Sequence, residues 1–171
     1  TALIAERFLQ ITNASGAAVS LLQKGELQYS AGSGTAAEEV GERSRVDLSL
    51  GAECVRTGRS LQSADAEKDS RLRQDLCRKK KVRALLAVPV HHESRVAGVL
   101  ELRFDRTNAF GEQDLHTCQL MAAVVADVVA KESQRDYQQA VAGERAAMLV
   151  ALEKIKPQLD RLTGEQETEA P

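Results

Sequence analysis

Apolar residues return at helical spacing near the start of the chain, where Leu3, Ile4, Phe8 and Ile11 predict a short amphipathic helix covering one face of a core. Asn13 and Gly16 then end it. Ala17 to Leu22 and Glu26 to Ala31 read as strands on either side of Gln23-Lys24-Gly25. Leu27, Tyr29 and Ala31 alternate, and the glycine in the connection predicts a β-hairpin. The run from Ala31 to Thr35 marks a loop, and the acidic stretch to Arg45 carries neither helical nor strand periodicity, so it reads as irregular.

Leu50 to Thr57 predicts a short helix stopped at Gly58, where a residue without Cβ can take the left-handed cap. Arg59 to Ser63 follows as a brief strand. Leu72, Leu76 and Cys77 form one apolar stripe within 69–81, which predicts a helix with Asp69 or Ser70 as N-cap and a basic remaining surface. Ala84 to Val90 and Val96 to Phe104 carry the strongest strand patterns, joined by the polar turn His91-His92-Glu93-Ser94-Arg95. Their nearly continuous apolar content places them at the centre of a sheet covered on both faces.

After Gly111, Asp114 puts a carboxylate in a first helical turn, and apolar positions recur from Leu115 through Val129 with no breaker before Gly143. A second series, Val141, Met148, Leu152, Ile155, Leu159 and Leu162, has coiled-coil seam spacing from Met148 onward. Pro157 lies inside it and is expected to kink or restart the helix. Residues 164–171 are polar and expected to be disordered.

Composition narrows the function classes. A chain of 171 residues, 43% hydrophobic and 28% charged, accommodates one domain with a sizeable core plus an extension. Its formal net charge of -2 gives no electrostatic reason to seek nucleic acid or an anionic membrane. No apolar run approaches the roughly 20 residues that cross a bilayer, and no signal core is seen, so a cytoplasmic location is expected. Cys54, Cys77 and Cys118 are an odd, widely spaced set that argues against a disulfide scaffold or a zinc knuckle. Aromatics at 3% are thin material for a base-stacking platform.

Several segments resemble the GAF family when taken in order. Gly51, then Cys54-Val55-Arg56-Thr57-Gly58-Arg59-Ser60-Leu61 and Asp65, resemble its segment in which a helix ends at Gly and a strand ends near Asp. Leu86-Ala87-Val88-Pro89-Val90 with Val96-Ala97-Gly98-Val99-Leu100-Glu101-Leu102 resembles its most recognisable piece, and Phe110, Asp114 and Leu115 resemble the entry to its last helix. The resemblance covers about residues 2–132. It implies an α+β, GAF/PAS-like central antiparallel sheet with helices packed on its faces and a long C-terminal helix. The expected organisation is a GAF domain over 1–132, a helical coiled-coil-like extension over 133–163 and a tail over 164–171. Ligands in the family range from cyclic nucleotides and tetrapyrroles to small metabolites, so fold alone does not settle function.

The cyclic-nucleotide signature is present only in fragments, because Ala109 follows Asn108 and Leu115 follows Asp114. Neither Cys54 nor Cys77 has a neighbouring His for tetrapyrrole attachment. In the turn His91-His92-Glu93 adjacent side chains point apart and cannot easily close around one ion, and His116 is isolated. The interval from Cys54 to Cys77 resembles that of free methionine sulfoxide reductases, but Gly51-Ala52-Glu53-Cys54-Val55 lacks their Gly-Val-Cys-Gly turn and no third Cys stands shortly before it. Buried thiols are the preferred reading. Seven basic residues between Arg71 and Arg83 read first as a solvated helix face and second as the rim of an anion site.

The expected function is therefore a non-enzymatic sensory or regulatory module whose small ligand or partner biases a C-terminal signalling helix. The alternatives are a ligand-free dimerisation scaffold and a free methionine sulfoxide reductase-like enzyme. The sequence names no cofactor. Expected pocket residues are Val19, Leu21, Leu27, Tyr29, Leu50, Cys54, Leu61, Leu85 and Ala87, an aliphatic lining with one phenol. A parallel homodimer through the C-terminal helix is expected to use Leu120, Val125, Val128, Met148, Leu152 and Ile155.

Overall fold

The computed structural model describes residues 2–44 and 49–167, leaving residue 1, residues 45–48 and residues 168–171 outside the described part. Helix α1 (Ala2–Ile11) buries Ala5 and Phe8, while Leu3 and Ile11 of the expected stripe are exposed. Strands β1 (Gly16–Gln23) and β2 (Glu26–Gly34) form the expected hairpin. Lys24 and Gly25 both have positive φ, 51° and 82°, the two-residue turn whose twist matches its strands.

β2 runs three residues past Ala31, correcting the loop expected there. Gly34 pairs with Gly16, and Gly32 lets the chain double back, since a Cβ there would meet the Ala36 carbonyl oxygen at 2.2 Å. A 3-10 turn (Ala37–Glu39) and the short strand β3 (Arg43–Ser44) occupy the acidic stretch. Helix α2 (Leu50–Thr57) begins with the Ser49 hydroxyl accepting from the Ala52 amide at 3.1 Å and ends at Gly58, φ 65°, whose amide donates to the Cys54 carbonyl. β4 (Leu61–Ser63) follows.

Helix α3 covers only Gln74–Lys79, shorter than the expected 69–81, and buries no residue. The Asp69 carboxylate accepts from the Arg71 amide at 3.0 Å and from its guanidinium, so it holds a local turn rather than capping a helix. Strands β5 (Ala84–His92) and β6 (Arg95–Phe104) are longer than expected because Glu93 and Ser94, φ 49° and 63°, close a tighter connection.

The six strands lie in the order β3-β2-β1-β6-β5-β4, all neighbours antiparallel. One face packs Val19, Leu86, Leu100, Leu102 and Phe104 against Phe8 of α1 and Cys118, Ala122 and Val125 of α4 (Glu112–Glu167). The other packs Leu27, Leu85, Ala87 and Val99 against Leu50 and Cys54 of α2. A register shift pairs Val19 with Ala31 but Ser20 with Tyr29, leaving Ser30 as an extra residue. Tyr29 and Ala31 therefore face opposite sides, although simple alternation put them together.

At the start of α4 the Gly111 amide donates to the Asp114 carboxylate at 2.9 Å, as the first-turn acid suggested. Val125, expected at a dimer interface, is fully buried against the sheet of its own chain. The helix runs through Gly143 and Pro157, and residues 164–167, expected to be disordered, are helical. Pro157 removes one backbone donor, but this stretch is exposed and water can take up the freed carbonyl. The chain divides into two compact units, one ending at Ala130 and one starting at Lys131.

The left-handed cap of α2 gives a direct check. Gly58→Ala places a Cβ at φ 65° and is expected to lower the unfolding free energy of the first unit by about 1 kcal/mol in a urea titration. An unchanged midpoint would show that the cap does not hold this conformation.

Candidate functional site

A cleft of about 490 Å³ opens on the α2 side of the sheet. Tyr29 of β2, Leu85 of β5 and Glu101 and Arg103 of β6 contribute strand residues to it. Ser49 and Leu50 line it at the start of α2, and Leu72, Leu76, Cys77 and Lys80 line it from the α3 region. Glu39 and Glu42 come from the acidic stretch that carried no periodicity.

Arg103 is 4% exposed, so its charge must be answered inside the protein. Its two terminal nitrogens donate to the two carboxylate oxygens of Glu39, one of them at 2.9 Å. The same guanidinium reaches the Tyr29 hydroxyl at 3.0 Å and Glu101 Oε2 at 3.3 Å. Lys80 Nζ, at the cleft edge, lies 2.8 Å from Glu39 Oε1. Burial pushes the Glu39 carboxyl up, but Arg103 and Lys80 outweigh it and hold the carboxyl below its ordinary range. Burial likewise opposes the Arg103 charge, and Glu39, Glu101 and Tyr29 together raise its affinity for the proton.

Glu101 approaches α2 closely. A Cβ on Gly51 would lie 2.8 Å from Glu101 Oε1, so the glycine lets the helix start beside a buried carboxylate. Val99, Glu101 and Arg103 share one face of β6, whereas Leu100, Leu102 and Phe104 share the other.

Of the expected pocket residues, Tyr29, Leu50 and Leu85 line the cleft. Leu27, Cys54 and Ala87 lie in the apolar cluster of the same sheet face, and Leu61 packs against it. Val19 and Leu21 belong to the opposite face, because a one-residue difference in position along a strand reverses the side chain. The expected aliphatic lining is corrected by Glu39, Glu101, Arg103 and Lys80. Two charges two residues apart inside the apolar β6 pattern were the available signal for a buried ionic cluster.

A family model for the GAF domain matches residues 1–130. The chain belongs to the GAF domain family. A search of curated protein sequences finds no match. Among solved structures, the GAF domain of a phosphoenolpyruvate-protein phosphotransferase from Coxiella burnetii is 18% identical, with a TM-score of 0.71 over 80% of this chain and 83% of that one. A free methionine-R-sulfoxide reductase from Neisseria meningitidis, in complex with its substrate, is 16% identical, with a TM-score of 0.68 over 78% of each chain. A GAF domain/HD domain protein from Geobacter sulfurreducens is 15% identical, with a TM-score of 0.66 over 77% of this chain and 90% of that one. Likeness at these identities establishes a shared fold.

Within this GAF domain burial raises the affinity of all three thiols for their protons. Burial, with Glu101 adding to it, pushes Cys54 up to about 12. Cys118 is fully buried on the other face and is pushed up further by burial. Cys77 borders the cleft half-buried, and burial raises it although Arg103 partly offsets the rise. Among the basic residues Arg71 is tied to Asp69 at 2.6 Å and Arg73 to Asp75 at 2.7 Å, so Lys80 is the one drawn into the buried cluster. His91 is exposed, and His92 stands 4.0 Å from Glu93 in the hairpin. Among the described residues no three His, Cys, Asp or Glu side chains are grouped to hold a metal, and no helix is long and apolar enough to cross a membrane.

Thiol titration of the native protein near pH 8 should modify Cys77 alone, with Cys54 and Cys118 reacting only on unfolding. Fast modification of Cys54 in the folded state would contradict the raised thiol affinity for its proton.

Proposed function

We propose that this GAF domain is a non-enzymatic sensor that binds a small polar metabolite in the cleft over Arg103 and passes the bound state to α4. The observation that carries the reading is the joining of a 490 Å³ cleft to a buried ionic floor, Arg103 with Glu39 and Glu101, beneath apolar walls from Leu50, Leu72, Leu76 and Leu85. Such a site combines apolar contact with a few polar groups that fix orientation. The volume lies within the range of about 300–1,000 Å³ usual for small-molecule sites.

The route to α4 within the first unit follows from β6. Its cleft face carries Glu101 and Arg103, and its other face carries Leu100, Leu102 and Phe104, which share a core with Cys118, Ala122 and Val125 of α4. A displacement of β6 by ligand must be met by repacking of that core, because close-packed side chains move together. Two packings favoured by different occupancies supply the bias that signalling needs. Output through a homodimer is part of the proposal. Leu120 is exposed and Val128 half-buried in the first unit, while Met148, Leu152 and Ile155 are exposed in the second. Apolar positions at this seam spacing are removed from water when two such helices pair.

The likeness to methionine-R-sulfoxide reductases supplies the second reading, in which Cys54 or Cys77 attacks a sulfoxide. The raised affinity of both thiols for their protons weighs against it, since the thiolate is the nucleophile.

Thermal shift and native mass spectrometry across small carboxylates, amino acids and nucleotides test the sensor reading. A cleft ligand at a hundredfold excess over its Kd should stabilise the protein by about 2.7 kcal/mol, and Leu72→Trp, which fills the cleft, should abolish the shift. Stabilisation that survives Leu72→Trp would move the site elsewhere. The same preparation should sediment as a dimer dispersed by Leu152→Glu, and thiol-dependent reduction of free methionine sulfoxide lost in Cys77→Ser would overturn the non-enzymatic reading.

A further inference from the structure

We propose that Glu39 is a tethered occupant of the ligand site, and that the cleft takes a small organic carboxylate which displaces it from Arg103 and Lys80. This rests on the cleft being a ligand site, and it specifies both the ligand's chemical class and how access is controlled.

The cation is on a central strand and the anion on a short turn. Arg103 belongs to β6, which is hydrogen-bonded to β1 on one side and β5 on the other. Its guanidinium can move little without disturbing three strands. Glu39 ends a three-residue 3-10 turn with no side-chain cap. Gly34 before this turn and Gly41 after it have φ values of 61° and 91°. Ala37, Glu38 and Val40 are exposed, so from residue 37 to 41 only Glu39 is buried. The turn is fastened by that side chain, by the buried Ala36 that begins it and by the backbone pairs of Gly41 and Glu42 to Tyr29.

The contacts also specify the chemistry. The guanidinium engages both oxygens of one carboxylate and Lys80 adds a second cation on Oε1. Two parallel donors on two coplanar acceptors are the arrangement that selects a carboxylate over a more compact or spherical anion. Both cations border the cleft, so a carboxylate entering from solvent meets the same donors that Glu39 uses. A tethered group competes at an effective concentration of millimolar or above, which lowers the apparent affinity for any free anion. Displacement frees the turn from its ionic anchor and gives the domain two states distinguished by what sits on Arg103.

Chemical rescue tests this directly. Glu39→Ala leaves the space and the cations but not the carboxylate, and its melting temperature is expected to fall and then recover saturably with propionate. Chloride at equal ionic strength should not restore it, and phosphate should restore it less. Glu39→Gln fills the space without charge and should resist rescue, as should Glu39→Ala combined with Arg103→Met. If Glu39→Ala does not fold, Glu39→Asp, one methylene shorter, should bind propionate at least tenfold more tightly than the wild type. Equal propionate response in all variants, or none in Glu39→Ala and Glu39→Asp, would overturn the displacement. Metabolite binding in the wild-type cleft with no rescue would leave the sensor reading standing alone, whereas rescue without any wild-type metabolite ligand would do the reverse.

Discussion

A guanidinium withdrawn from water in the middle of a sheet constrains everything around it. Arg103 cannot be neutralised by losing its proton, so the protein must bring acceptors to it. Glu39 arrives from the turn after β2, Glu101 from the same strand and Tyr29 from β2. These groups line the cleft together with the apolar Leu50, Leu72, Leu76 and Leu85. Replacing such a cluster with apolar residues is often neutral or stabilising, whereas removing one partner alone leaves a buried charge unanswered.

The sheet gives that floor its reach. Alternation along β6 puts ionic groups on the cleft side and Leu100, Leu102 and Phe104 on the α4 side. One strand thus belongs to both the candidate ligand site and the seat of the C-terminal helix. The shared fold of phosphotransferase GAF domains and methionine-R-sulfoxide reductases shows that this architecture serves different tasks, and the residues in the cleft must distinguish them.

Local patterning made much of this architecture legible. Both hairpins, the α2 helix with its Gly58 cap and the start of α4 were written in short-range spacing and turn chemistry. Interactions distant in sequence were not. Glu39 and Arg103 are 64 residues apart, and the acidic stretch that supplies Glu39 has no periodicity to reveal it. The extra residue at Ser30 reverses the strand's faces, so alternation misassigned Ala31 relative to Tyr29. Asp69 looked like a helix cap because the residue type suits both roles, and its bond to Arg71 decided between them. Val125 looked available to a partner because the apolar stripe was wide, but the sheet beneath it takes that side chain.

The most direct test of this account is a double-mutant cycle between Glu39→Gln and Arg103→Met, measured by urea unfolding at neutral pH and repeated toward acid. The pair should show a coupling free energy of about 2 kcal/mol or more, as expected for contacting groups in one buried network. Because the folded Glu39 carboxyl is held below its ordinary value of 4.5, its stabilising contribution is complete above that pH and is lost as pH falls through the lowered folded value. Coupling near zero at neutral pH, or coupling unchanged down to the acid unfolding range, would show that Arg103 and Glu39 do not organise the cleft.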